Sequence, residues 1–74
     1  MLAENLKALR KAKGLSQEEL AARLHVVRQT VSKWEKGRSV PDAELLVRLA
    51  DELDTTPAAL LGPELPPEAE GSST

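Results

Sequence analysis

Arg28, Gln29, Ser32 and Lys33 lie within one short stretch of the chain, and all four carry groups that can hydrogen-bond to nucleobases. A guanidinium donates two parallel bonds to a guanine edge, an amide pairs with adenine as donor and acceptor, and hydroxyl or ammonium groups reach bases or phosphate oxygens. They can act together only if one face presents them. On a helix turning about 100° per residue with Arg28 at zero, Ser32, Lys36, Gln29 and Lys33 fall between about 40° and 140°. Trp34, Val27 and Val31 fall near 240° to 300° on the same wheel, which places them on the opposite, apolar face. The spacing therefore predicts a helix over 27–36 with one apolar and one hydrogen-bonding side. By periodicity alone, a solvated polar face fits as well as a groove-reading one.

Four further elements are expected around that helix. Leu2, Leu6 and Leu9 form the stripe of a first helix that Gly14 ends. Ser16, with Glu19 three residues on, has the pattern of a capping box opening a second helix, with Leu15 placed to staple on Leu20. Leu20, Ala21 and Leu24 face inward there. The chain must turn before Arg28, and His25 is the pivot, because His tolerates a positive φ better than most non-glycine residues. Gly37 stops the third helix. Pro41, Asp42 and Glu44 mark the start of a fourth, with Pro41 supplying a helix-compatible φ and with Leu45, Leu46, Leu49, Ala50 and Leu53 on its core face. Thr56 and Pro57 read as cap and first residue of a short fifth helix ending at Gly62. Residues 1–62 are thus expected to form the domain, and 63–74, rich in Pro, Glu, Gly and Ser, a disordered tail or linker.

Composition narrows the function. The 74 residues allow one small domain with a thin core, built from Leu, Val and Ala because Trp34 is the single aromatic residue. There is no cysteine and one histidine, so disulfides, thiolate metal sites and cysteine nucleophiles are excluded, and His25 has no ligand partner nearby. Neither a phosphate-cradling glycine loop nor a nucleophile beside a base occurs, so no metal, cofactor or enzymatic activity is expected. Glu18 and Glu19 are adjacent on a helix and point apart, which makes a carboxylate pair unsuited to acid and base work. Apolar runs are too short for a membrane span, and a soluble, cytoplasmic protein is expected. The formal charge of −2 hides a segregation: nine Lys or Arg stand against four acids over 1–40 (net +5), and one against eight over 41–74 (net −7). Such asymmetry suits a basic binding face backed by an acidic surface.

From LSQEELAARL through VVRQTVSKWEKG to SVPDAELLVRLADEL the chain resembles the Cro/cI-type (XRE) helix-turn-helix family, over about residues 2–61. The resemblance implies an all-α, five-helix, lambda-repressor-like DNA-binding domain with a helix-turn-helix unit at about 16–36. It also implies a small transcriptional regulator that binds double-stranded DNA at a pseudo-palindromic operator as a homodimer, at least on DNA. Carried over by position, Arg28, Gln29, Ser32 and Lys33 would read base edges. Gln17, Thr30, Arg38 and the backbone of Ser39 and Val40 would contact phosphates. Arg10 would pair with Glu35 as a structural ion pair, and Trp34 would anchor the core. Two positions depart from the common family pattern: His25 stands where glycine is usual, and Val27 where a side-chain cap is usual. Ala43, Val47, Ala59 and Leu60 are candidate dimer contacts. The alternative reading, a protein-interaction module such as an antitoxin-like or bridging subunit, would use the same residues or the acidic tail.

Overall fold

The computed structural model describes residues 1–63, which fold into five helices in the order α1 (Leu2–Ala12), α2 (Gln17–Leu24), α3 (Arg28–Glu35), α4 (Ala43–Glu52) and α5 (Pro57–Leu61). Apart from Pro63, the tail expected over 63–74 lies outside the described residues. The fold is all-α, as expected. α3 packs on α2 and α1, α5 closes against α1 and α4, and α4 also meets α2. The core between them is aliphatic except for Trp34: Leu2, Leu6, Leu15, Leu20, Ala21, Leu24, Val31, Leu49, Ala50, Leu53 and Leu60 are buried with it. Leu9, Val26, Leu45 and Leu46 pack partly buried at its edge.

The first four helices stop in one way. After each, a residue with positive φ reverses the chain: Gly14 (74°), His25 (60°), Gly37 (73°) and Asp54 (56°). The next amide then reaches back five residues, as Leu15 to Arg10 (3.1 Å), Val26 to Ala21 (3.0 Å), Arg38 to Lys33 (2.9 Å) and Thr55 to Ala50 (2.9 Å). This closure satisfies carbonyls that a helix end leaves open. Histidine and aspartate visit the left-handed region more readily than most side chains, so the turn into α3 forms without glycine at some cost in strain. Lys13 hydrogen-bonds the Asp54 carboxylate, tying the end of α1 to the end of α4 and holding that carboxyl below its usual range.

Helix starts are less uniform. Ser16 opens α2 with a complete capping box: its Oγ accepts the Glu19 amide at 3.0 Å, and the Glu19 carboxylate accepts the Ser16 amide at 2.8 Å. Thr56 caps α5 by accepting the Ala59 amide at 3.1 Å.

Three expectations need correction. Pro41 is not the first residue of the fourth helix. Asp42 is the cap, its carboxylate accepting the Leu45 amide at 2.9 Å, and Pro41 lies buried just outside. An aspartate that satisfies an open amide outcompetes proline's fixed φ as the start signal. Val27 does not join the inner face of α3. It is the extended N-cap residue, makes no side-chain cap, and is 63% exposed. Leu60, expected among the dimer contacts, is fully buried in the core, because α5 closes against α1 and α4 with Leu60 on its inner side. Ala43 and Val47 do stay exposed, and Ala59 is half-buried.

Candidate nucleic-acid interface

One polar knot ties α3 to α1 and to the turn before α2. Arg10, at the end of α1, donates from Nε to Glu35 Oε2 at 2.6 Å and from Nη2 to Glu35 Oε1 at 3.1 Å. Its third nitrogen, Nη1, donates to the Leu15 carbonyl at 2.7 Å in the turn before α2. The side chains are 10% and 3% exposed, so this is the buried, forked ion pair that the family resemblance implied. Such a pair adds little over a well-packed apolar one, but losing either member strands a buried charge. It therefore holds the end of α3 in one position against α1.

Trp34 and Val31 anchor the inner side of α3 in the core. On the outer side, Arg28, Gln29, Ser32, Lys33, Lys36 and Arg38 line one open groove. All are exposed except the half-buried Ser32. Four of the six are cations, and among the described residues none of the four is paired with a carboxylate. Leaving four like charges close together costs energy unless water or an anionic ligand offsets it. Arg28 has one protein neighbour of note: its Nη1 donates to Gln17 Oε1 at 3.4 Å.

The structure thus brings the four base-reading candidates and Arg38 onto one surface. Lys36 belongs with them although the sequence reading assigned it no role; its wheel angle, between those of Ser32 and Gln29, carried the signal. Gln17, Thr30, Ser39 and Val40 do not line this groove. Gln17 and Thr30 are half-buried, while Ser39 and Val40 are exposed in the loop beyond α3. At the start of α2, the Ser16 backbone amide, then its hydroxyl, holds the Glu19 carboxyl below its ordinary range. That carboxylate belongs to the cap and not to the groove.

A short helix, a left-handed turn at His25, and a second helix whose outer face is basic make up the unit that decides the family: the family model described as helix-turn-helix matches residues 6–60. The chain belongs to the helix-turn-helix family, of the Cro/cI (XRE) type. Its lambda-repressor-like fold agrees with solved structures. The P22 c2 repressor bound to a synthetic operator superposes with a TM-score of 0.80 at 30% identity, covering 82% of this chain and 92% of that one. Among curated proteins, the helix-turn-helix transcriptional activator BcrR of Enterococcus faecalis is 43% identical over 61 residues, or 82% of this chain and 30% of BcrR. FeII HppE in complex with its substrate also contains the fold, at 33% identity and a TM-score of 0.78, covering 84% of this chain and 36% of that one. The helix-turn-helix fold is therefore found both in a regulator and within a larger substrate-binding protein, so function has to be argued from the surface it presents. The chain spans 30%, 56% and 48% of the length of three curated regulators it matches. No helix among the described residues is long and apolar enough to cross a membrane.

Proposed function

We propose that residues 1–62 form the DNA-binding domain of a transcriptional regulator that reads double-stranded DNA by sequence. The observation that carries this reading is the groove on α3, where the candidate readers of base edges share one face and four of the six lining side chains are cations without a carboxylate partner among the described residues. A helix fits the B-DNA major groove, and nothing bulky or apolar on this face obstructs entry. Arg28, Gln29, Ser32 and Lys33 meet base edges. Lys36 and Arg38, with Thr30, Gln17 and the backbone of Ser39 and Val40, meet phosphates and set register without reading sequence. The mechanism is occupancy and involves no catalysis. The P22 c2 repressor, similar over most of this chain, is bound to an operator, which supports the assignment.

The regulator acts as a homodimer on a pseudo-palindromic operator, with half-sites about one helical turn apart. Val47, 58% exposed on α4, and Leu61, 51% exposed on α5, support a contact between two copies beside Ala43 and Ala59. Its site of action is cytoplasmic.

Selection from a random duplex library at moderate salt tests this reading, with an Arg28→Ala/Gln29→Ala double variant in parallel. A two-fold-related motif enriched by the native chain and lost by the variant is expected. No enrichment from folded protein would overturn the reading in favour of a protein-interaction module.

A further inference from the structure

The fifth helix ends differently from the other four. After each of α1 to α4 a positive-φ residue turns the chain, and the next amide reaches back five residues. Gly62, at the end of α5, is extended instead (φ −78°, ψ −167°), and its amide reaches only the Ala59 carbonyl, at 3.4 Å. The open carbonyls are closed from another helix: Asn5 on α1 shares its Nδ2 among those of Leu60 (2.8 Å), Gly62 (3.0 Å) and Ala59 (3.2 Å). Asn5 is fully buried, and its amide nitrogen brings two hydrogens to these acceptors. A five-residue helix has too few internal bonds to hold its own shape, and Leu60 is the one buried side chain of α5. The end of α5 is therefore held by a single side chain more than fifty residues away in sequence.

We propose that Asn5 is a positioning residue for the contact between two copies of the chain: it seats α5, and the seated helix completes the surface through which the copies pair. This rests on the homodimer reading. Thr56 and Pro57, where α5 begins, form one wall of a cleft whose other wall includes Val47, Arg48 and Asp51 of α4. The exposed Val47 and Leu61 belong to those two helices, so their relative position is set only while α5 is seated. Ordering α5 before the copies meet removes that entropic cost from pairing. The reading face lies on α3, which packs on α1 and α2, so releasing α5 weakens pairing and spares recognition of one half-site. Asparagine suits the task because its amide donates. An ionised aspartate would set acceptors against three carbonyls, and an aliphatic residue would leave them without a donor.

Asn5→Ala removes the donor, and Asn5→Ser, which keeps a shorter one, grades the effect and carries the same comparison if Asn5→Ala does not fold. Both are compared with the native chain at a temperature where Trp34 fluorescence shows folded protein. On the selected two-fold operator Asn5→Ala should bind about five- to fiftyfold more weakly, while affinity for a duplex holding one half-site stays within about twofold. Asn5→Ser should fall between. Equal losses on the two duplexes make Asn5 a residue of general stability and overturn the proposal, as does no loss on either. In DNA-free protein, hydrogen exchange at the Leu60 amide, bonded to the Thr56 carbonyl at 3.1 Å, should speed up about tenfold in Asn5→Ala while the Trp34 amide stays far better protected. Leu60 and Trp34 amides with equal protection in both chains would mean that α5 opens only with the whole fold, which overturns the proposal. If the native chain gains nothing on two half-sites over one, the homodimer reading fails and the proposal falls with it. A native chain that pairs, beside an Asn5→Ala chain that pairs equally well, overturns the proposal alone.

Discussion

Arg10 and Arg28 stand at opposite ends of one hydrogen-bonded chain that runs through Glu35 and Gln17, and their surroundings differ in nearly every respect. Arg10 is buried, and each of its three guanidinium nitrogens has a partner within the protein. Arg28 is exposed, has one long bond to a neutral oxygen, and sits beside three more cations that lack carboxylate partners. The knot beneath α3 uses its polar groups to fix the helix, whereas the outer face leaves its polar groups available. A small domain can hold a charged, self-repelling face only because the opposite side of the same helix is firmly anchored.

The largest expected effect comes from breaking the knot. Glu35→Ala should cost about 3–5 kcal/mol by leaving Arg10 buried without its anion. Chemical denaturation followed by Trp34 fluorescence would read this, and replacing both partners by apolar residues should restore much of the loss. Asn5→Ala should follow at about 1–3 kcal/mol by the same readout. Asn5 is buried on α1 and its Nδ2 donates to the carbonyls of Ala59 (3.2 Å), Leu60 (2.8 Å) and Gly62 (3.0 Å), which the end of α5 would otherwise leave open.

The outer face should behave in the opposite way. Arg28→Ala and Gln29→Ala should each remove about 1–3 kcal/mol of discrimination at particular base pairs, measured by competition between duplexes. Both should leave stability within about 0.5 kcal/mol. A large loss of stability in either variant would erase the contrast between the two faces.

Helix starts give a smaller comparison. Ser16→Ala should cost about 1 kcal/mol, and Val27→Ser should gain a similar amount by supplying the cap that α3 lacks. The Glu19 carboxyl is held below its ordinary range by the Ser16 amide, so its part of the capping box is present above that range and lost as pH falls through the lowered value. Denaturation series between neutral and acidic pH should therefore show a shallower acid-side fall in Glu19→Gln. The finest expected effect is on salt dependence: Lys36→Ala and Arg38→Ala should weaken binding to all duplexes alike, each lowering the slope of log affinity against log salt by about 0.9.

Much of this was legible in the sequence because it rests on local rules. A capping box needs only Ser16 and Glu19 at the right spacing, and the stops at Gly14 and Gly37 need only a residue free to take positive φ. The two-faced pattern of 27–36 put five of the six groove-lining side chains on one face, since the residues of one short helix share a face whatever the helix packs against. Asp54 was harder to foresee, because aspartate adopts the left-handed turn only when its surroundings support it, here through Lys13. The wheel misplaced Val27, which the family resemblance put at the cap position, because a wheel drawn through a helix end cannot tell a first-turn residue from a cap.

Long-range partnerships were decided in three dimensions. Asn5 lies more than fifty residues from the carbonyls it satisfies, and no local pattern relates an amide on α1 to the end of α5. Leu60 and Val47 are both aliphatic, but one fills the core and the other faces solvent, because burial depends on how α4 lies against α2 and α5 and how α5 closes on α1. Local propensity, charge and periodicity determined which helices form, where most of them end and which face of α3 is basic. Only the packed structure decided that Arg10, Glu35, Gln17 and Arg28 join into one chain, since contacts between helices depend on the angles at which they cross and on the polar groups that must find partners once water is excluded.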